Sequence, residues 1–243
     1  MKKNYLPKPI KRFLRLRLGL KPLFDYVESR SRLIGVRDMP IKTVFDVGAN
    51  VGKMSRLYRR IFPEAMIYSI EPVPACYEIL SSWAETQNGQ VKTFNLAMGQ
   101  ESGQTCMWWN QVHLGGSSLV KSRFQSKNGA EIQIQIETLD RLAAKLDLRD
   151  EILVKIDTEG YDLEVIRGGS ELLRRASVVI VEIILVEAPG ETPHFGQFMN
   201  VLGDMGYMFR GCIGFGFVEG VPMGCDAVFI KQPSFRRHQA DSK

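Results

Sequence analysis

The sequence predicts an α/β fold, in which a mostly parallel sheet carries helices on both faces. Short apolar runs rich in β-branched residues alternate along the chain with segments of helical periodicity, a pattern typical of βα units. The first run ends in a glycine turn that leads into an amphipathic segment. The last two runs follow each other without a helix between them, which predicts an antiparallel hairpin at the carboxyl terminus.

The composition is that of one globular domain with an uneven distribution of charge. The 243 residues and the 44% hydrophobic content suit a single α/β domain. The net charge is +5, but eight lysines and arginines precede the first acid, Asp25. Without those eight, 24 of the 32 basic residues remain against 27 acidic ones, a net charge of −3. The domain therefore does not offer a basic surface for nucleic acid.

We divide the chain into a basic amphipathic amino-terminal segment at 1–40, a main domain at 41–232 and a flexible tail at 233–243. The first segment has no apolar stretch long enough for a signal peptide or a spanning helix. It either packs on the edge of the domain or rests on an anionic membrane or an acidic acceptor. The four cysteines form no C-x-x-C pair, which indicates free thiols and a cytoplasmic protein, with peripheral contact at the inner membrane face left open.

The stretch 43–52 reads TVFDVGANVG and predicts a strand followed by a tight turn. Gly48 and Gly52 allow this turn, and apolar residues at helical spacing predict a helix at 53–62. A strand–turn–helix junction of this kind is where α/β sheets bind nucleotide-like ligands. The turn lacks the G-x-G-x-x-G spacing of a dinucleotide site. The alternative is a tight connection that binds no ligand.

The next two strands bring further candidate residues to the same edge of the sheet. A strand at 65–70 delivers Glu71, and a carboxylate there can accept hydrogen bonds from both hydroxyls of a ribose. The alternative is an exposed loop glutamate. After a predicted helix at 74–86, a third strand at 91–96 runs into a small-residue stretch, 97–99, where an adenine ring could lie.

An insertion with the alternation of β-strands comes next. The segments 104–109 and 131–137 predict an antiparallel pair at the edge of the sheet. Trp108 and Trp109 are adjacent in the first of these strands. Because neighbours in a strand face opposite ways, at most one of them could stack on a sugar ring.

A fourth buried strand, 152–156, ends in the sequence DTEG at 157–160. A fifth strand contains Glu182, and a glutamate in so apolar a run needs a partner or a functional reason. The remaining predicted elements are helices at 161–167, 170–175 and 194–205, the fifth strand at 178–185, and the hairpin strands at 207–217 and 226–231.

Several motifs occur together in a fixed order. They are DVGANVG from Asp46, IEP from Ile70, TLD from Thr138, VKIDTEGYDLEVIRGG from Val154 and VEI from Val181. Their combination resembles the FkbM family of S-adenosylmethionine-dependent methyltransferases over about residues 43–231. The resemblance implies a seven-stranded Rossmann-like sheet of the class I methyltransferases, with helices on both faces and a C-terminal antiparallel hairpin.

The resemblance also implies S-adenosylmethionine as the cofactor and assigns residues to it. The implied cofactor-binding residues are Asp46, Gly48, Asn50 and Gly52 around the methionine part, Glu71 and Pro72 at the ribose, and Ala97 and Met98 beside the adenine. Known members of the family methylate hydroxyl groups of macrolides and of sugars in surface or nodulation glycans. The implied reaction is therefore O-methylation of a carbohydrate.

Methyl transfer to a hydroxyl needs a group that takes the proton. Asp157 is the first choice for this base, with Glu159 as the second catalytic carboxylate. The two together could bind a divalent metal, which we do not favour, and Asp157 could instead cap the following helix. His113 and His194 are alternative bases.

Two other classes of function stay open at this point. A nicotinamide-dependent oxidoreductase is weakened by the missing G-x-G-x-x-G and by the lack of a Tyr-x-x-x-Lys pair. A methyltransferase-like binding module would keep the fold without turnover, and intact candidate residues argue against it without excluding it.

Overall fold

The computed structural model describes residues 35–110, 117–120, 129–185 and 193–231. The chain divides into two compact units, Met1–Asp38 and Met39–Lys243. The predictions for the basic amino-terminal segment before residue 35, for His113 and for the tail at 233–243 lie outside the described residues. Within the described part of the chain, no helix is long and apolar enough to cross a membrane, and the four cysteines are free thiols.

The described residues form strands and helices that alternate in the order expected for βα units. The strands are β1 (Thr43–Val47), β2 (Met66–Ile70), β3 (Val91–Phe94), β4 (Ala97–Gly99), β5 (Gly103–Asn110), β6 (Gly129–Thr138), β7 (Ile152–Ile156), β8 (Val178–Ile184), β9 (Tyr207–Val218) and β10 (Val221–Lys231). The helices are α1 (Lys53–Ile61), α2 (Pro74–Glu85), α3 (Leu139–Ala143), α4 (Asp162–Gly168), α5 (Ser170–Arg175) and α6 (Phe195–Asp204). The predicted helices agree with α1, α2, α4, α5 and α6 to within one or two residues at each end.

Seven strands form the main sheet, in the order β3-β2-β1-β7-β8-β10-β9. The first five strands in this order are parallel, whereas β10 runs antiparallel to β8 and pairs with β9 as a hairpin. This arrangement confirms the predicted seven-stranded sheet and its carboxyl-terminal antiparallel hairpin. The strand order changes direction between β1 and β7, and ligands bind α/β sheets at such a switch point.

A second sheet of three strands, in the order β4-β6-β5, holds the predicted insertion. Strands β5 and β6 are antiparallel, as expected, but they form this separate sheet instead of extending the edge of the main one. The prediction of a third strand that reaches residue 96 was wrong, because β3 ends at Phe94. The stretch 97–99 is a strand, β4, which pairs in parallel with β6, and both Ala97 and Met98 are buried.

The main sheet has an apolar face and a face that carries buried polar groups. Phe45 and Val154 belong to the core that packs against α3 to α6. Because adjacent strand residues face opposite ways, Asp46 and Lys155, which are in register on β1 and β7, lie on the other face. There α1 supplies Ser55, whose hydroxyl donates a 2.5 Å hydrogen bond to Asp46 Oδ2. Helices therefore cover both faces of the sheet.

Asp46 joins α1 to the end of β1. Its side chain is fully buried, and burial raises the pKa of Asp46 while Lys155 and the Ser55 hydroxyl lower it in part. Ser55 Oγ also lies 2.9 Å from Ser69 Oγ on β2. The first helix is thus tied by a charged hydrogen bond to the strand from which the glycine turn leaves.

We predict that Ser55→Ala lowers the free energy of unfolding by about 2 to 3 kcal/mol, because a buried carboxylate loses a charged hydrogen bond. Ser69→Ala is the matched control in the same cluster. It leaves the Ser55–Asp46 bond in place, so its cost should be about 1 kcal/mol. Urea denaturation measures both variants, and equal costs would contradict the central role of the Ser55–Asp46 bond.

Candidate active site

A cleft opens where the carboxyl ends of β1, β2 and β7 meet. It contains about 690 Å³ of empty space, counting its open mouth. The predicted site residues that line it are Gly48, Asn50, Glu71, Pro72, Ala97, Met98, Asp157 and Glu159. Tertiary structure therefore brings together eight residues from three separate motifs and the stretch after β3.

Glu71 holds the glycine turn in place. Its Oε2 accepts a 2.7 Å hydrogen bond from the backbone N–H of Asn50, and its Oε1 accepts a 2.9 Å bond from the N–H of Val73. Burial raises the pKa of Glu71 to about 7, although these two N–H groups lower it in part. Glu71 is only 5% exposed, so it is not the exposed loop glutamate of the alternative interpretation.

Gly48 is required by the close approach of two strands. Its φ is +77°, and a Cβ atom at this position would lie 1.8 Å from the backbone oxygen of Asp157. The N–H of Asp157 in turn donates a 3.0 Å hydrogen bond to the carbonyl of Val47. The sequence analysis explained Gly48 by the close approach of a ligand. The structure gives another reason, because the backbone at the end of β7 leaves no room for a side chain at this position.

Two of the residues predicted to surround the cofactor stand behind the wall of the cleft. Asp46 is fully buried beneath the turn, and Gly52 precedes α1 with its backbone close to Leu80. Neither residue is among those that line the cleft. Both residues contribute to the position of the turn without lining the cleft. Asp46 contacts Ser55 of α1, and Gly52 is the residue from which α1 begins.

Asp157 forms an ion pair with a lysine that the sequence analysis did not select. Lys155 Nζ lies 2.5 Å from Asp157 Oδ2, and Lys155 is 2% exposed. Burial alone would lower the pKa of Lys155, but the carboxylates of Asp157, Asp46 and Asp226 raise it above its ordinary value. The lysine is therefore charged and orients the Asp157 carboxylate. A lysine inside the apolar run ILVKI was the signal that could have identified it.

The turn after β7 is organised by Asp162, not by Asp157. Asp162 accepts hydrogen bonds from the N–H and hydroxyl of Thr158, at 2.9 and 3.0 Å, and from the N–H of Gly160 at 3.1 Å. Burial raises the pKa of Asp162 to about 6. Ser118 fixes the same turn from the loop between β5 and β6, since its hydroxyl donates to the carbonyl of Glu159. Asp157 is therefore free of the capping role considered above.

Glu182 lies beside two other carboxylates. Ile156 of β7 pairs with Val181 of β8. Asp157 and Glu182 are the residues that follow this pair on the two parallel strands, so they lie side by side. One carboxylate oxygen each of Asp157, Glu159 and Glu182 lies within 4.8 Å of the other two. Glu182 Oε2 is buried and has no hydrogen-bond partner among the described residues. The glutamate that needed a functional reason thus faces the candidate catalytic residues.

The other candidates lie elsewhere. His194 precedes α6, where its N–H donates to the side chain of Gln197 at 2.8 Å, and it does not line the cleft. Trp109 packs in the apolar cluster of the small sheet. The backbone of Trp108 pairs with Ser118.

The sequence analysis also missed the apolar wall of the cleft. Leu96, Met107 and Leu119 come from the stretch after β3, from β5 and from the following loop. Asn95 supports this wall, because its side-chain amide donates to the carbonyls of Glu71 and Pro72 at 2.8 and 3.0 Å. No local pattern marks these residues, since only the docking of the small sheet brings them to the cleft.

A parallel sheet with a reversed final hairpin, together with a cleft at its switch point, defines the class I methyltransferase fold. A family model described as the methyltransferase FkbM domain matches residues 46–209. The chain belongs to the FkbM methyltransferase family, as its motifs indicated.

Individual relatives are distant. The chain is 27% identical to methyltransferase sdnD of Sordaria araneosa over 53% of its own length and 60% of that protein. It is 25% identical to the hexuronic acid methyltransferase AglP of Haloferax volcanii over 58% of its length and 55% of that protein. The chain thus spans little more than half of each relative.

A solved structure, the methyltransferase FkbM of Methylobacillus flagellatus, superposes with a TM-score of 0.57 at 12% identity. That match covers 89% of this chain and 52% of the other. At this identity, the likeness supports the fold alone.

We predict that Gly48→Ala destabilises the protein and abolishes ligand binding at the cleft, because the new Cβ would collide with the Asp157 carbonyl in a left-handed backbone. Gly196→Ala is the control, since a Cβ there has no atom within 4 Å and its backbone is helical. Thermal unfolding checks both variants. An unchanged midpoint for Gly48→Ala would contradict the close approach of β1 and β7.

Proposed function

We propose that the protein transfers a methyl group from S-adenosylmethionine to a hydroxyl group of a sugar, in a glycan or glycolipid-like acceptor. The observation that supports this proposal is the cleft in which Glu71, the turn at Gly48 and Asn50, and Asp157 face one space. The family and its relatives, one of them named as a hexuronic acid methyltransferase, agree with a sugar acceptor. The free thiols agree with a cytoplasmic location.

The residues present fit this cofactor. Each oxygen of Glu71 already accepts one backbone N–H and has a further lone pair for a ribose hydroxyl. Ala97 and Met98, with the apolar wall of the cleft, suit the adenine ring. In this proposal Gly48 and Asn50 contact the methionine part of the cofactor, and Pro72 lies beside the ribose. Asp46 and Gly52 have a supporting role in this proposal, because they hold the turn from behind.

When bound, S-adenosylmethionine supplies an electrophilic methyl group on its sulfonium. The residues of the chain must align the acceptor hydroxyl and take up its proton as the new O–C bond forms and the S–C bond breaks. Asp157 is the proposed base. Its carboxylate is held by Lys155 and remains partly open to the cleft, with 32% of its side chain exposed. Glu159 lies close enough to bind the same hydroxyl.

Isothermal titration with S-adenosylhomocysteine and with NAD is the first test. The proposal expects the former to bind and the latter not to bind. NAD binding alone would favour an oxidoreductase. Binding of S-adenosylhomocysteine without methyl transfer to any of a panel of glycans would favour the non-catalytic module.

We predict that the affinity for S-adenosylhomocysteine falls about tenfold as the pH is lowered from 8 to 5.5, because a protonated Glu71 loses a charged acceptor for the ribose. The fall should centre near the pKa of Glu71, about 7. Glu71→Gln should bind weakly with a flat pH profile.

The titration of Glu71 would not cause this loss of affinity by unfolding the protein at low pH. A carboxyl group whose folded pKa lies above its ordinary value makes its largest contribution to stability at low pH, and this contribution declines as the pH rises toward 7. A Glu71→Gln profile with the wild-type slope would remove Glu71 from the ribose site.

We predict that Asp157→Asn keeps its affinity for S-adenosylhomocysteine within about threefold but loses about two to four orders of magnitude in turnover. The amide oxygen can still accept from Lys155, so circular dichroism should stay native. Near-native turnover would exclude Asp157 as the base. Loss of wild-type activity with a chelator, restored by Mg²⁺, would instead indicate metal-assisted chemistry.

A further inference from the structure

The hairpin of β9 and β10 extends beyond the edge of the main sheet at which the cleft opens. Strand β8 runs parallel to β7 and ends at Ile184, and the N–H of Leu185 then donates a 2.9 Å hydrogen bond to the carbonyl of Met223 on β10. The two hairpin strands continue past this level to Val218 and Val221, where they pair only with each other among the described strands. The end of the hairpin therefore projects from the edge formed by the carboxyl ends of β1 and β7.

This projection carries exposed apolar side chains. Eight large hydrophobic residues in the described part of the chain are exposed, and five of the eight lie here, at between 42% and 63% exposure. They are Leu185, Phe215, Phe217, Val218 and Val221, and we call these five residues the apolar tip. The rings of Phe215 and Phe217 lie 6.2 Å apart. Exposed apolar residues gathered on one projection are typical of a binding surface.

The apolar tip begins near the proposed base. Glu182 lies beside Asp157, and Leu185 comes three residues later, about 10 Å further along the same direction. Asp226 of β10 pairs with Glu182, and Val221 lies five residues before Asp226, which corresponds to about 16 Å along the strand. A molecule with a hydroxyl group at Asp157 therefore reaches the tip if a chain on the order of 10 to 20 Å long extends from it.

The tip itself is unsuited to an anionic surface. The stretch 211–224 contains one acid, Glu219, and neither lysine nor arginine. Binding to anionic lipid headgroups depends on basic residues, and this stretch supplies none. An uncharged hydrocarbon chain matches the tip better, because it covers apolar side chains without burying a charge.

The tip is also unsuited to pairing with a second copy of the chain. Strand β9 is the last strand of the main sheet, and an open edge strand can pair with another molecule. Here, however, the register shifts on both sides of Gly224, and Gly214 of β9 has a φ of +67°. Such irregularities bend a hairpin and interrupt the regular edge that intermolecular pairing needs.

We propose that the apolar tip binds the hydrocarbon portion of an amphipathic acceptor, a sugar linked to an alkyl chain, while a hydroxyl of that sugar lies at Asp157. This inference rests on the proposed function and narrows its acceptor class from glycans in general to sugars that carry a hydrocarbon chain. Contact with the tip removes apolar surface of both partners from water, so the affinity for the acceptor rises with the length of the chain.

The experiment compares two probes that share the sugar and differ in the alkyl chain. The full chain, saturated with S-adenosylhomocysteine, is titrated with methyl β-D-glucoside and with octyl β-D-glucoside below its critical micelle concentration. We expect the octyl glucoside to bind at least about tenfold more tightly, and this advantage to fall below about threefold in the double variant Phe215→Ser/Phe217→Ser. Equal affinities for the wild-type protein, or no binding of the octyl glucoside, would overturn the inference.

Ile79→Ser is the matched control. Ile79 lies on α2, which leads to β3 at the opposite end of the sheet order, and it is 47% exposed, close to the 48% of Phe215. This variant should keep the full advantage of the octyl glucoside, and a loss equal to that of the double variant would contradict a specific role of the tip.

The affinity for S-adenosylhomocysteine separates this inference from the proposed function. It should stay within about twofold in all variants, because no residue of the tip lines the cleft. If the wild-type protein does not bind S-adenosylhomocysteine, the proposed function itself is refuted. Binding of S-adenosylhomocysteine together with equal affinities for the two glucosides would refute only the role of the tip.

Two other occupants of the tip are outcomes of measurements on the same proteins. Wild-type protein and the double variant are compared by co-sedimentation with phosphatidylcholine vesicles and, without lipid, by sedimentation velocity over a range of concentrations. We expect no difference between them in either measurement. Vesicle binding that the double variant loses would assign the tip to a membrane surface, and self-association that it loses would assign the tip to a second copy. Either result would overturn the inference.

Discussion

The close backbone approach of β1 and β7 is the constraint on which the site depends. A side chain at position 48 cannot coexist with the Asp157 carbonyl, so the turn after β1 and the turn after β7 share one wall of the cleft. Glu71 then fixes the first turn through Asn50, and Asp162 fixes the second through Thr158 and Gly160. Two buried carboxylates thus hold the backbone against which a ligand can bind.

The protein retains several ionisable groups inside its sheet. Asp46 and Lys155 are buried between β1 and β7, and apolar residues of similar size would cost less to bury. The same groups place Asp157 at the cleft in one orientation. We interpret these buried charges as a loss of stability that is tolerated because it positions the site.

Much of the site could be predicted because it lies in local motifs. Glu71 and Asp157 each follow an apolar strand, and the carboxyl ends of parallel strands share one edge. Contact with the cofactor was also predicted for Asp46, but this residue, second from the end of β1, faces Ser55 of α1 and does not line the cleft. Lys155 was overlooked because its partner depends on β7 lying beside β1, which no local pattern shows.

By itself, the sequence determined the α/β class, the order of the elements, the family and the residues at the strand ends. Hydrophobic periodicity and turn chemistry are local, and they act within a few residues along the chain. Only the tertiary structure decided that Ala97 and Met98 form a strand of a second sheet, that Asp162 holds the turn beside Glu159, and that Glu182 faces Asp157. These are contacts between distant segments, and they depend on register and packing that come into being when the sheet assembles.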